Sequence, residues 1–215
     1  MFDLIIYLTY CILLADFILY TYSFFREKKA SVFFVSYLAF CCVLQFSMEV
    51  MYHFRLNNLF LVNIFIIGQM ILLGLFYNSL FTLKSQKNFV KISLIAALVI
   101  LGVQFVMDWN QFLRFNLFEI TLTSVLIVVF ALIHFYNMLT ETRKYYYFNI
   151  GVVFYLLTST VLFLIGNLTH NLSKEFKFLS WELNAVLLVL YYSIILYEWK
   201  FSFAPKKKKD KLELS

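Results

Sequence analysis

Proline occurs once, at Pro205, and glycine only five times in 215 residues. Transporters that unwind helices around a ligand show it by paired Gly or Pro interruptions, so this chain is expected to run in unbroken helices. Charge is scarce too: Asp, Glu, Lys and Arg make up 14% of the chain, against about 25% in soluble domains. An ordinary soluble domain is excluded. The three cysteines, Cys11, Cys41 and Cys42, lie inside apolar runs. Without metal-ligand spacing or a disulfide framework they read as buried thiols. The three histidines, His53, His134 and His170, fall at different depths, and neither GxSxG nor HExxH occurs, which removes zinc and serine hydrolase chemistry. A seven-helix retinal protein needs a lysine in mid-helix, but the last apolar run has its first at Lys200. Seven-helix sugar transporters of the proline-glutamine loop type need prolines that are missing here. No enzyme activity, cofactor or metal is expected.

What is present is apolar. Hydrophobic residues make up 63% of the chain and aromatics 21%, and mean hydropathy is +0.83. A helix crosses about 30 Å of hydrocarbon in roughly 20 residues, and seven runs are long enough: 2–25, 31–53, 58–82, 88–108, 115–139, 145–168 and 179–200. The expected fold is an all-α polytopic transmembrane bundle over residues 1–200, its neighbours antiparallel because the connections are short, followed by a basic tail over 201–215. The start, Met1-Phe2-Asp3, has no basic n-region and no small-residue cleavage site, so the first run is expected to stay as a helix. No inverted repeat stands out.

The net charge of +6 does not point to nucleic acid, because the cations cluster between apolar runs. Alternate connections hold Arg26, Lys28 and Lys29; Lys84, Lys87 and Lys91; Arg143 and Lys144; and, in the tail, Lys200, Lys206, Lys207, Lys208, Lys209 and Lys211. The opposite side holds only Arg55, Arg114, Lys174 and Lys177. By the positive-inside rule the N-terminus lies outside and the C-terminus in the cytoplasm. Trp109 and Trp181 would mark the outer interface, and Trp199 with Tyr145–Tyr147 the inner one. The lysines Lys206, Lys207, Lys208 and Lys209 suit anionic lipid headgroups at about 1 kcal/mol each, although topology locking is the simpler reading and the one preferred. The triplets Asn167-Leu168-Thr169 and Asn171-Leu172-Ser173 match the glycosylation pattern but lie too near the membrane to weigh.

Polar residues inside the apolar runs are the candidate site. Gln45, Glu49 and His53 recur every four residues and share one helix face. With about 1.5 Å rise per residue, Glu49, Glu119 and Glu182 each fall roughly 10–12 Å outward of their helix centres. His53, Asn63 and Gln104 lie in the same outer half, Asp16 and Gln69 near mid-membrane, and His134 with Asn137 form a smaller inner pair. Ionisable residues in a bilayer usually face the bundle or a water-filled cavity. Two readings stand side by side: an outer pocket that binds a cation, a proton or a small polar ligand, or carboxylates solvated at the interface with Glu49 satisfied by a neighbouring helix. Asp16 is too short to reach water, so it is expected to face the bundle, either protonated or hydrogen-bonded to a group such as Gln69.

Four stretches carry a resemblance: NNLFLVNIFIIGQMILLGLFYNSL (57–80), FNLFEITLTSVLIVVFALIHFY (115–136), FNIGVVFYLLTSTVLFLIGN (148–167) and LNAVLLVLYYSIILYEWK (183–200). They resemble a group of small heptahelical bacterial membrane proteins, often encoded beside sensor histidine kinases. That pattern has an Asn opening the third helix, met by Asn58 or Asn63, and an acid early in the fifth, met by Glu119. The acid of the third helix is replaced here by Gln69, and Phe148-Asn149-Ile150-Gly151 matches its Phe-aromatic-x-x-Gly motif in part. The resemblance implies the architecture and a link to signalling.

The resulting expectation is a non-enzymatic sensor or accessory protein of the bacterial inner membrane, with an outer polar pocket lined by Glu49, His53, Glu119, Glu182, Gln45 and Asn63. Its partners would be the lipid bilayer and a sensor kinase or other membrane protein; oligomeric state is left open. The alternatives are a proton- or cation-coupled transporter using the intramembrane carboxylates, or a pore-forming effector.

Overall fold

The computed structural model describes residues 2–27, 30–140, 143–168 and 174–204. Apolar runs this long leave the backbone no partner but itself in lipid, and helices satisfy it. Seven form: α1 Phe2–Glu27, α2 Val32–His53, α3 Leu59–Leu80, α4 Lys84–Met107, α5 Leu117–Asn137, α6 Tyr146–Leu168 and α7 Lys174–Glu198. Each is long and apolar enough to cross a membrane, and no strand occurs among the described residues. A 3₁₀ turn, Trp109–Leu113, joins α4 to α5, and one π-helical turn, Trp199–Phe203, ends α7. Two helices begin earlier than the apolar pattern does, α4 at Lys84 and α7 at Lys174. Lysine is a good helix former, so the helix runs past the apolar segment that hydropathy detects.

Six helices close a ring in the order α1, α2, α3, α5, α6, α7, with α7 packed back on α1. The fourth helix stands outside it, against α3 and α5. Its buried residues Val90, Leu94, Ala97 and Leu101 form one narrow face, while Ile92, Ile95, Val99, Val103 and Val106 are exposed. That outer stripe fits contact with lipid. The seat on α3 is Gly74, where an added Cβ would lie 2.7 Å from the Leu94 side chain. A side chain there would force Leu94 out of its present position.

Short connections make sequence neighbours antiparallel, which gives the bundle two ends. The C-terminal end carries the α1–α2, α3–α4 and α5–α6 connections, and it is densely joined. Phe34, Phe76, Tyr145 and Phe148 meet edge to face or tilted, with ring centroids 4.7–6.4 Å apart. Tyr145 adopts a left-handed backbone, φ 57°, and its hydroxyl accepts the Ser31 N–H at 2.7 Å. Strain of that kind costs on the order of 1 kcal/mol, and it is held by this bond and the surrounding rings. The Glu198 carboxylate reaches from α7 to the start of α6 and accepts the N–H groups of Tyr147 and Phe148 at 2.7 and 3.3 Å. Free N–H groups at a helix start favour such an anion. Trp199 Nε1 donates to Leu19 O and Ser23 Oγ, which fastens α7 to α1.

Candidate functional site

The N-terminal end is built differently. Asn63, in the second turn of α3 and fully buried, donates through Nδ2 to the carbonyls of Gln111, Phe112 and Arg114 at 3.3, 2.7 and 3.0 Å. One side chain thus gathers the backbone of the 3₁₀ turn, and three carbonyls around the nitrogen fix which way the amide points. Gln104, near the end of α4, donates to Gln111 Oε1 and, at 3.4 Å, to Asn116 Oδ1. Asn116 caps α5, accepting the Glu119 N–H at 3.3 Å. In a complete capping box the glutamate three residues on returns a bond to the cap residue's N–H. Glu119 does not: it is 0% exposed and both its oxygens lack a hydrogen-bond partner.

Three further atoms of this connected set are buried without a partner: Asn63 Oδ1, Gln104 Oε1 and Asn116 Nδ2. Buried polar atoms are satisfied in the great majority of cases, and each exception calls for a reason such as a water or an ion. Acceptors dominate here, and one of them is a carboxylate. The set can receive protons or a cation; it has little to offer an anion.

The other residues expected at an outer pocket lie elsewhere. Glu49 accepts the Tyr10 hydroxyl of α1 at 2.9 Å, and His53 Nδ1 lies 3.4 Å from its other oxygen. His53 is exposed and also meets the Glu49 carbonyl, so this is a local pair finished by a tyrosine. Glu182 is exposed on α7. Gln45 is buried and donates to Tyr192 at 2.6 Å. The three glutamates occupy α2, α5 and α7, alternate members of the six-helix ring with no close backbone approach among them, although Gln45 and Tyr37 of α2 reach Tyr192 and Tyr191 of α7 across the ring. The structure brings Asn63 and Glu119 to one end of neighbouring helices and leaves Glu49, His53 and Glu182 apart from them.

Asp16 faces inward as expected, 0% exposed, but the bond to Gln69 is absent. Both Asp16 oxygens lack a partner, and α1 and α3 are not neighbours in the ring. Gln69 instead donates at 3.3 Å to Tyr37, whose hydroxyl meets that of Tyr191 at 3.0 Å. These tyrosines fill the middle of the ring. Of the inner pair, His134 meets the Lys144 carbonyl at 2.9 Å, and Asn137 exchanges two bonds with Gln86 at 2.8 and 2.9 Å. Lys206–Lys209 and, of the glycosylation triplets, Thr169 and the whole of Asn171–Ser173 lie outside the described residues, while the acceptor Asn167 falls in the last turn of α6.

Gln111 and Asn116 were not singled out in the sequence. The signal for Asn116 was there: Asn-x-x-Glu before an apolar run is the capping-box spacing. Gln111 sits in a five-residue turn with no pattern of its own. Set against known protein families, curated proteins and solved structures, the chain matches none.

Proposed function

We propose that this chain is a non-enzymatic sensor or accessory protein of the bacterial inner membrane. In this reading the N-terminus lies outside, the C-terminus is cytoplasmic, and a polar site in the outer half of the bundle responds to a ligand. It acts through a membrane partner such as a sensor histidine kinase. The observation that carries the reading is Glu119, a carboxylate with neither oxygen partnered inside a hydrogen-bonded set that spans α3, α4 and α5. The excess of Lys and Arg on alternate connections supports the orientation. Ligand occupancy at such a set has a direct route to a partner, because α4 packs on the outside of the ring and its Gln104 belongs to the set.

The test is affinity purification from the native membrane in mild detergent, with wild type and Glu119→Gln side by side. The expected result is a kinase or other membrane protein enriched with wild type and recovered in a different amount with the variant. Recovery of the chain alone from both would overturn the signalling reading.

A second reading, proton- or cation-coupled transport, is favoured by one observation. Asp16 and Glu119, on separate helices of the ring, are both buried with no hydrogen-bond partner on either oxygen. Reconstituted vesicles with no ion flux above an Asp16→Asn control would remove it.

A further inference from the structure

The N-terminal cluster has a deficit that no described side chain fills. Its unpartnered atoms are four acceptors, Asn63 Oδ1, Gln104 Oε1 and both Glu119 oxygens, against one donor, Asn116 Nδ2. If the Asn116 amide turned to serve one of them, three acceptors would remain. Arg114, the nearest cation in sequence, is exposed and enters the set only through its backbone carbonyl. The ordinary use of a glutamate at this position, closing a capping box, is not made.

We infer that the N-terminal end of α3 and α5 holds a small monovalent cation, bound by the Glu119 carboxylate and the side-chain oxygens of Asn63 and Gln104. This rests on reading that end as the ligand-responsive site and names the class of ligand it takes. The choice of class follows from the donor set. All the free acceptors are oxygens, which suit hard cations, while zinc and copper sites draw on nitrogen and sulfur. Among the described residues no group of three His, Cys, Asp or Glu could hold a metal ion. Calcium sites commonly use several carboxylates, and one carboxylate balances one positive charge. Helix starts are positive, which favours a negative charge at Glu119, and its oxygens carry no hydrogen bond that a counter-ion would have to displace. Sodium, potassium and ammonium share this chemistry.

The proposal is tested on the purified full chain in detergent. The melting temperature is measured in sodium, potassium, ammonium and choline chloride at one ionic strength and several pH values. A ligand that binds only the folded state raises it in a saturable way, the bound form outweighing the empty one about a hundredfold at a hundred times the dissociation constant. The expected result is a rise with at least one small cation over choline, lost in Glu119→Gln. An infrared difference spectrum of wild type, that cation minus choline, should show a carboxylate band missing from Glu119→Gln; this reading needs no unfolding and stands if the variant is fragile. Equal melting in all four salts, meaning water only, would overturn the cation site. So would a response to pH alone, meaning a proton only, or a shift that persists in Glu119→Gln. Cation binding in a protein that recovers no partner would keep the site and remove the signalling reading; the converse would remove the site alone.

Discussion

Glu198 and Glu119 are the same chemical group at opposite ends of one bundle, and both are 0% exposed. Each lies beside the first turn of a helix. Glu198 arrives from a different helix, and one of its oxygens takes two N–H groups of α6. Glu119 grows from the helix it could cap, and it takes none. Burial alone therefore says little about what a carboxylate does. The first is a fastening between α6 and α7; the second is an acceptor held open.

That contrast can be broken by measuring unfolding in mixed micelles. The largest loss is expected for Glu198→Ala, about 3 kcal/mol, because the N–H groups of Tyr147 and Phe148 lose their shared carboxylate acceptor. Asn63→Leu should cost about 2 kcal/mol, since the carbonyls of Gln111, Phe112 and Arg114 lose their shared donor. Tyr77→Phe removes the hydroxyl that donates to Asn149 Oδ1 at 2.7 Å and should cost about 1 kcal/mol. Glu119→Gln, measured in choline, should change stability least, by less than about 1 kcal/mol and with either sign, because no bond of its carboxylate is lost. A cost for Glu119→Gln as large as that for Glu198→Ala would show that the two glutamates do the same work and would end the comparison.

The seven helices were legible because hydropathy along a chain reports depth, and depth is what a bilayer selects. It placed Glu49, Glu119 and Glu182 in one layer. What it does not report is azimuth. A soluble helix carries a polar stripe that says which face is out, whereas these helices are apolar on nearly every face, and lipid is as acceptable as protein. Hence α4 gave no sign of standing outside the ring, and three carboxylates at one depth were joined into one pocket although their helices alternate around it. Partners far apart in sequence were hidden for the same reason. Nothing near Glu198 announces that the N–H groups donating to it lie 51 and 50 residues away, while the local Asn116–Glu119 spacing is readable from the string.

The closure of the ring has a consequence for how the molecule is made. The Trp199 indole meets the Leu19 carbonyl across 180 positions, and the Tyr20 hydroxyl meets the Ile195 carbonyl across 175. Synthesis delivers α1 well before α7. Until α7 is made, the inward face of α1, with Tyr20 and, one turn before it, Asp16, has no α7 to meet. The nascent chain must spend that interval with an unsealed seam, so a helix made later locks one made well before it.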